Sequence, residues 1–319
     1  MGEFVPPASV LQLWQMRTFF MLGSLFLGTI CFSQVHYPSP DAGKMYTSVS
    51  QAISENPNAK QLNLRDTQTF FIPTDISALT ELRFVNLMNN FVEYWEPSLF
   101  KLEKLEVLDF RFNALKYIPA QISSYKKLTR LDLANNYLNS IPSEIGELKR
   151  LQELHLSANQ LTVLPDEIAN CKKLRVIDLE YNQLHTLPDG FFKLKKLHSA
   201  NLGYNQFYEV NGPWKNMKAM ETLNMEFNRL QSIPTEILEM PNLKSLTLNH
   251  NSIKEIPQAV FSMKNLELLV VSQNQIERLP AKIPNDSSIK TLILSGNPIS
   301  KSEIARVRKA LPNCRIIAD

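Results

Sequence analysis

The sequence contains few glycines and few cysteines, nine and three among 319 residues. No glycines stand in the G-x-G-x-x-G or Walker A spacing, so the two commonest nucleotide-binding signatures are absent. The H-E-x-x-H, C-x-x-C and protein-kinase signatures are missing as well. Three cysteines are too few for a disulfide-dense extracellular scaffold. The sequence therefore carries no signature of a common enzyme class.

An excess of charge of one sign is also lacking, because 34 Lys and Arg residues and 31 Asp and Glu residues leave a net charge of +3. Such a small excess gives no reason to expect a nucleic acid or an anionic membrane surface as the partner. Hydrophobic residues make up 44% of the chain, which is enough to bury a core and argues against intrinsic disorder.

Near the N-terminus, residues 19–32 form an uncharged, largely apolar run, FFMLGSLFLGTICF, one residue after Met16-Arg17. A transmembrane helix needs about 20 apolar residues, so this run is too short to span a bilayer comfortably. A basic residue, a short apolar region and small residues before the cleavage point are typical of a secretory signal peptide. We therefore predict a signal peptide over residues 1–33, cleaved after Ser33, and an exported mature chain without a membrane span.

Three details of this segment stay open. Residues 1–15 are superfluous for a signal peptide, so Met16 is a second candidate start. Lipidation of Cys31 is an alternative to cleavage, although Ile30 stands where a lipoprotein signal needs a small residue. An uncleaved anchor is the other alternative, and the short length of the run argues against it.

From Ala59 onward, apolar residues recur every 23 residues in the pattern L-x-x-L-x-L-x-x-N-x-L-x-x-L-P-x-x-I-x-x-L-x-x, whose positions we number one to 23. The copy at residues 128–150 is the cleanest, and ten full periods occupy residues 59–288 without an insertion. The L-x-x-L-x-L segment alternates as a short strand with one buried face requires. One such unit cannot bury its own apolar face, so the copies are expected to stack into a solenoid.

Position nine is Asn in ten consecutive repeats. An Asn amide offers two donors and an acceptor, so it can satisfy backbone groups in the turn that leaves each strand. Stacked repeats then predict a structural ladder of hydrogen-bonded amides. The Pro of L-P-x-x-I fixes φ where the chain turns to the opposite side. The predicted ladder consists of Asn90, Asn113, Asn136, Asn159, Asn182, Asn205, Asn228, Asn251, Asn274 and Asn297.

This pattern resembles the leucine-rich repeat, and the resemblance covers nearly all of the chain after the apolar run. The period of 23 with L-P-x-x-I is similar to the Ras-suppressor-type subclass, shared by plant intracellular, animal scaffold and many bacterial repeat proteins. The resemblance implies an α/β solenoid shaped as a horseshoe, with a parallel sheet on the concave face and short helical or irregular return segments on the convex face. It also implies a protein that binds other proteins. The chain resembles a bacterial-type exported member of this subclass. The cysteine clusters with which secreted animal members often seal their ends are missing.

The domain organisation follows from these segments. After the signal peptide, residues 34–58 are predicted to form a linker and an N-terminal capping helix, residues 59–299 a solenoid of about eleven repeats, and residues 300–319 a C-terminal cap. One face of the N-terminal capping helix is predicted to consist of Met45, Val49, Ala52 and Ile53.

In the C-terminal cap, Ser300 and Glu303 fit a capping box, and Arg315–Ile317 is predicted to add a terminal strand. Cys171 takes a core place in its repeat, whereas Cys314 lies in the cap, six repeats away. At ~4.8 Å per repeat the two cysteines stand about 29 Å apart, beyond the reach of a disulfide. Both caps must therefore be held by packing.

The outward-facing strand positions predict rows of side chains along the inner wall. The fifth position supplies mostly Asn and Asp, and the eighth supplies aromatic residues in the middle repeats. Aromatic anchors on a rigid surface are typical of interaction hot spots, and the acidic neighbours suit a partner with basic and apolar groups. The alternative is that the rings only stack on one another. The predicted partner-binding patch consists of Asp178, Glu180, Tyr181, Tyr204, Glu226, Phe227 and His250.

Two other groups of surface residues have a structural explanation as well as a possible binding role. Lys and Arg recur at the ends of the return segments, but Asp and Glu at the segment starts neutralise them and complement the helix dipole, so we expect no nucleic acid partner. A group of aromatic residues lies where an N-terminal repeat has lost its Pro, and packing of the cap is the alternative to binding. This second candidate patch consists of Phe84, Phe91, Tyr94 and Trp95.

Asp132, His155 and Asp178 are predicted neighbours on adjacent strands, with Ser157 two residues along. They are the nearest approach to a catalytic triad or a metal site. A flat open sheet supplies no preorganised oxyanion donors and no groups to orient metal ligands, so we expect no enzyme activity, cofactor or metal. The predicted function is a monomeric, exported, non-catalytic scaffold that binds a protein partner on its concave face. The alternative is an intracellular adaptor of the Ras-suppressor kind.

Overall fold

The alternating apolar residues of each repeat form a three-residue strand. In the repeat that begins at Leu128, Leu131 and Leu133 are fully buried and the strand spans Arg130–Asp132. The computed structural model describes residues 43–319, so the predicted signal peptide lies outside the described residues. The strands are β1 (Met45–Tyr46), β2 (Gln61–Asn63), β3 (Phe84–Asn86), β4 (Val107–Asp109), β5 (Arg130–Asp132), β6 (Glu153–His155), β7 (Val176–Asp178), β8 (Ser199–Asn201), β9 (Thr222–Asn224), β10 (Ser245–Thr247), β11 (Leu268–Val270), β12 (Thr291–Ile293) and β13 (Arg315–Ile317).

All thirteen described strands join edge to edge in chain order and form one open parallel sheet. The register places the same repeat position side by side in consecutive repeats: Leu131 pairs with Leu154, and Asp132 pairs with His155. A repeat without insertions keeps this register from strand to strand. The predicted α/β solenoid with its parallel sheet is confirmed for the described part of the chain.

Short 3-10 helices carry the chain back across the side opposite the sheet. In the Leu128 repeat, Pro142 (φ −73°, ψ 155°) precedes the helix Ser143–Glu147, which ends where the Leu148 N–H donates to the Ile145 carbonyl. Pro suits this place because its ring fixes φ and no hydrogen bond is lost at the start of a helix. The described 3-10 helices are Thr74–Ala78, Pro97–Lys101, Ala120–Ser124, Ser143–Glu147, Asp166–Asn170, Phe191–Lys193, Trp214–Asn216, Thr235–Glu239 and Gln258–Ser262.

One apolar cluster runs between the sheet and the return segments along the described residues. The repeat at residues 197–219 departs most from the pattern, because Ala200 replaces a core Leu. Trp214 is fully buried there and packs edge-to-face on Phe192, with ring centroids 5.2 Å apart. Its indole Nε1 donates to the Val210 carbonyl at 3.1 Å, so the ring fills the core without an unsatisfied donor.

The N-terminal cap consists of α1 (Val49–Glu55) and the edge strand β1. The Ser48 hydroxyl accepts from the Gln51 N–H at 3.1 Å and caps the helix start. The prediction that Met45 lies on the helix face is wrong, because the chain before Ser48 is extended and Met45 pairs with Gln61 at the edge of the sheet. Backbone pairing with β2 outweighs the helical spacing of this residue.

The C-terminal cap consists of α2 (Lys301–Ala310) and β13, which pairs with β12 as predicted. The Ser300 hydroxyl accepts from the Glu303 N–H at 3.2 Å. The Glu303 carboxylate does not complete the capping box; it accepts from the Leu279 N–H at 2.9 Å and from Arg306. The side chain therefore fastens the cap to the preceding repeat.

Cys171 and Cys314 are both free thiols. The Cys171 thiol is buried in the core, where it donates to the Ile145 carbonyl at 3.2 Å. Among residues 43–319, no helix combines the length and the apolar composition needed to cross a membrane.

Candidate functional site

The position-nine Asn side chains link each repeat to the preceding one. In all ten repeats, Oδ1 accepts from a backbone N–H of the preceding repeat at 2.9 to 3.1 Å. Nδ2 donates to a carbonyl of the preceding repeat at 2.8 to 3.0 Å. Each amide satisfies backbone groups of two repeats at once, so it fixes their relative position.

Position eight, directly before each of these Asn residues, has a left-handed backbone conformation. Its φ lies between +48° and +58° at nine non-glycine residues from Asn89 to Gln273. The position-eight side chains, expected on the strand from the repeat pattern, lie in the turn that follows it. A residue with a β-carbon pays roughly 1–2 kcal/mol for this conformation, so contacts elsewhere must hold bulky rings in it.

The predicted aromatic residues come together in one stack of four rings. The ring centroids of Tyr181 and Tyr204 are 3.9 Å apart, those of Tyr204 and Phe227 are 4.1 Å apart, and those of Phe227 and His250 are 3.9 Å apart. The planes of adjacent rings are inclined to each other by 13° to 19°. Because their faces cover one another, the rings expose edges along a rigid ridge beside the sheet. We call these four residues the aromatic ridge.

Carboxylates beside the aromatic ridge are held by side-chain amides. Asn201 Nδ2 donates to Glu180 at 3.2 Å, whereas Asn224 and Asn249 donate to Glu226 at 3.0 and 2.8 Å. The remaining acid of the predicted patch, Asp178, accepts from the backbone N–H of Glu180 at 3.2 Å. The structure therefore brings the predicted acids and rings together on adjacent repeats, and adds amides whose role the sequence analysis missed.

Glu180 is the most perturbed acid of this group. Burial, and then repulsion from Asp178 and Glu226, raise the pKa of Glu180 to about 7. The hydrogen bond from Asn201 opposes this shift without cancelling it. A carboxylate that is desolvated and faces other carboxylates is stabilised by any cation that reaches it.

The N-terminal half of the concave face differs, because its acids are paired with arginines. Arg111 contacts Asp109 at 2.7 Å, whereas Arg130 contacts Asp132 at 3.1 Å and Glu153 at 2.9 Å. No Lys or Arg of the described residues forms such a pair with Asp178, Glu180 or Glu226 in the other half. The negative charge of the concave face is thus compensated in one half and left uncompensated in the other. The ion pairs that hold these acids join Asp109, Asp132 and Glu153 to Arg111 and Arg130.

Several position-five residues that the sequence analysis treated as exposed are buried. Asp132 is 2% exposed, and Asp109, His155 and Asn201 are each 8% exposed. Longer side chains from neighbouring positions cover this row; Arg130, at position three, reaches across to Asp132. These four side chains offer a partner little area, whereas Asp178 and Asn224 in the same row are partly exposed.

In the group of Asp132, His155 and Asp178, Asp132 and His155 contact charged side chains from outside the group. Asp132 and Asp178 do flank His155 in the strand register. The Asp132 carboxylate is occupied by Arg130 and Arg111, and the nearest carboxylate to His155 Nε2 is that of Glu153, at 3.5 Å. Within the described part of the chain, no three His, Cys, Asp or Glu side chains are placed to hold a metal ion.

The second candidate patch does not form one surface. Trp95 is 5% exposed and packs against Phe110, with its Nε1 donating to the Tyr117 carbonyl at 2.8 Å. Tyr94 is 61% exposed on the outer edge, whereas Phe84 lies in the sheet. Phe91 stacks on Phe70, with ring centroids 5.0 Å apart.

A row of exposed apolar side chains on the outer edge of the repeats was not predicted from the sequence. Phe71, Tyr94, Tyr117 and Val163 are 76%, 61%, 44% and 48% exposed. All four stand at position thirteen, where the repeat pattern has no required residue. An apolar residue recurring at a free position was the signal that could have revealed them.

Basic residues of the return segments form ion pairs with acids other than those predicted at the segment starts. Lys104 contacts Glu81, and Glu147 accepts contacts from Lys126 at 3.3 Å and Lys149 at 3.5 Å. Glu147 stands at the end of its 3-10 helix, so direct pairing explains the pattern better than a helix dipole in segments of five residues. Exposed ion pairs of this kind contribute little to stability.

The comparisons with known proteins agree with this architecture. The family model described as "Leucine rich repeat" matches residues 80–138, 126–184, 149–207, 172–230 and 241–299, which together make up well over half of the chain. A comparison with curated proteins gave no significant match.

Solved structures show the same fold. The leucine-rich repeat domain of APL1 is 25% identical over 80% of this chain and 66% of that chain, with a TM-score of 0.68. The corresponding domain of APL1B is 21% identical over 86% of this chain and 93% of that one, with a TM-score of 0.66. An internalin, inlF, from Listeria monocytogenes is 22% identical over 76% of this chain and 75% of its own, with a TM-score of 0.59.

Proposed function

Because this chain belongs to the leucine-rich repeat family, we propose that it is a non-catalytic scaffold that binds a protein partner on its concave face, between the repeats that begin at Leu174 and Leu243. The leucine-rich repeat fold of this chain supports a role as a scaffold for protein–protein interaction. The proposal assigns the chain to the 23-residue L-P-x-x-I subclass, on the strength of its unbroken period. It further holds that the chain is exported and monomeric, and that it needs no cofactor.

One observation supports the proposed site. The aromatic ridge lies beside acids that form no ion pair with any Lys or Arg of the described residues. Four rings that stack at about 4 Å are already ordered before a partner arrives. A preordered surface loses little conformational entropy on binding, which favours affinity. Aromatic side chains on such a surface are typical of the residues that contribute most to binding free energy.

Partner capture with paired variants tests the site. The protein is immobilised through its C-terminus and used to capture partners from extract and culture medium of the source cells. We expect Tyr204→Ala with Phe227→Ala to lose the partner that the unaltered protein captures. The matched control is Tyr94→Ala with Tyr117→Ala, which removes two aromatic side chains from the outer edge and should retain the partner. Equal recovery by the ridge variant and the unaltered protein would reject the ridge as the binding site.

Export is the part of the proposal that depends on the N-terminal sequence. The apolar run, the preceding Arg17 and the small residue Ser33 support cleavage before Gln34. Mass spectrometry of the native N-terminus tests it: a mature chain that begins at Gln34 is expected. An intact Met1 or Met16 on protein from the cytosol would favour the intracellular adaptor instead.

A further inference from the structure

The chemistry of the partner can be inferred from the charges of the concave face, and this inference rests on the proposed function. We propose that the surface formed by Glu180, Glu226 and the edges of Tyr204 and Phe227 docks an extended segment of the protein partner through an arginine side chain. The arginine lies against the carboxylates of the two glutamates, outside the side chains that cover Gly203. The partner segment runs along the aromatic ridge.

Charge complementarity is the first argument for this occupant. Glu180 and Glu226 accept hydrogen bonds from neutral amides, whereas Asp109 and Glu153, in repeats nearer the N-terminus, have arginine partners. Among residues 43–319, the fold thus supplies guanidinium groups at Asp109 and Glu153 and none at Glu180 or Glu226. A guanidinium from another chain would complete there the pairing that Arg111 and Arg130 complete within the chain.

The shape of the surface is the second argument. Glu180, Gly203 and Glu226 occupy position seven in three consecutive repeats, so their backbones are spaced ~4.8 Å apart and the two glutamates about 10 Å apart. Gly203 is buried and has no side chain, so the Glu226 side chain and the Asn201 and Asn224 amides lie directly over it. We call the outer surface that the carboxylates of Glu180 and Glu226 form above Gly203 the notch. A Cβ at Gly203 would lie 3.1 Å from Glu226 Cγ and 3.3 Å from Asn201 Oδ1 and Asn224 Nδ2, so any larger residue would displace the groups that form the notch.

The aromatic ridge is the third argument, and it favours arginine over lysine. Tyr204 follows Gly203 directly, and Phe227 follows Glu226, so the notch borders the ridge. A guanidinium is planar, is weakly hydrated, forms paired hydrogen bonds with a carboxylate and packs well on aromatic groups. A lysine ammonium provides the charge, but it lacks the paired N–H donors and the planar shape of a guanidinium.

A peptide pair that differs only in charge tests the proposal. The probes are two glycine-serine heptapeptides, one with a central arginine and one with a central citrulline, which has nearly the same shape without the charge. Ligand-observed NMR titration at pH 8 and low salt gives the dissociation constants. We expect the arginine peptide to bind at least fivefold more tightly than the citrulline peptide. Equal affinities, or no binding of the arginine peptide, would overturn the proposal.

Two double variants test whether the tighter binding of the arginine peptide depends on the carboxylates of the notch. Glu180→Gln with Glu226→Gln keeps the acceptors for Asn201 and Asn249 and should abolish the arginine preference. The control, Glu167→Gln with Glu239→Gln, removes the same charge from exposed residues of the return segments and should leave the preference unchanged. If both double variants reduce the preference equally, general electrostatic attraction explains the binding and the proposal is wrong. Circular dichroism spectra establish that each variant is folded.

A third variant and the captured partner separate this proposal from the proposed function. Gly203→Ala retains every charge but displaces Glu226, so we expect at least a threefold loss of affinity for the arginine peptide. If partner capture survives Glu180→Gln with Glu226→Gln, the arginine notch is rejected while the scaffold proposal stands. If capture also survives Tyr204→Ala with Phe227→Ala, the concave site itself is rejected.

Discussion

Removing one amide from the middle of the Asn ladder should have a large effect for a single polar side chain. Asn159 is 9% exposed, and its Oδ1 accepts from the Leu138 N–H at 2.9 Å. In Asn159→Ala this buried N–H loses its acceptor, which costs about 1–3 kcal/mol. The carbonyls of Leu133 and Leu156 also lose the donor at 3.0 Å, although each keeps another Asn. We expect a total loss of about 3 kcal/mol in the free energy of unfolding.

Urea unfolding followed by circular dichroism measures this loss. With a slope of about 3 kcal/mol per molar urea, the midpoint should fall by about 1 M. The control is Asn139→Ala in the neighbouring repeat, because Asn139 is exposed and its side chain contacts only the Ser140 hydroxyl, at 3.1 Å. That variant should lie within about 0.5 kcal/mol of the unaltered protein. If the two variants shift the midpoint equally, the ladder does not hold the repeats together and the reasoning fails.

Three further outcomes are expected. Trp214→Ala empties a fully buried site and should reduce the free energy of unfolding by about 4 kcal/mol in the same urea assay; a loss below 1 kcal/mol would contradict the packing described. Burial raises the pKa of Cys171 to about 12, so iodoacetamide at pH 8 should label Cys171 in urea but not in the folded protein, as peptide mass spectrometry would show. Because the folded pKa of Glu180, about 7, exceeds its ordinary value of 4.5, its ionisation destabilises the folded state as pH rises from 5 to 8. Glu180→Gln should remove about 2 kcal/mol of that pH dependence in urea titrations at the two pH values, and identical pH profiles would refute it.

Stacking and binding are compatible roles for the aromatic ridge. The two roles are not alternatives, because rings in a left-handed turn need their neighbours to hold them in place. Tyr181, Tyr204 and Phe227 remain partly exposed after stacking. The stack therefore holds the rings in one orientation and leaves their edges available to a partner.

The sequence by itself determined the repeat, the strands and the ladder geometry. A period of 23 without insertions forces each residue to lie beside its counterpart in the next repeat, so the pairing of Asp132 with His155 follows from counting alone. Alternation of Leu131 and Leu133 fixes which strand face is buried. These features depend on spacing along the chain, which the sequence gives directly.

The tertiary structure decided what the spacing leaves free. A long side chain can reach several partners. Only the packed structure shows that Arg130 pairs with Asp132, whereas Glu180 accepts a hydrogen bond from the Asn201 amide. The left-handed turn at position eight is set by the backbone, because residues as different as Ala158 and Tyr204 adopt it. A sequence pattern records which residues become neighbours, but the compensation of their charges depends on conformations that only the packed structure selects.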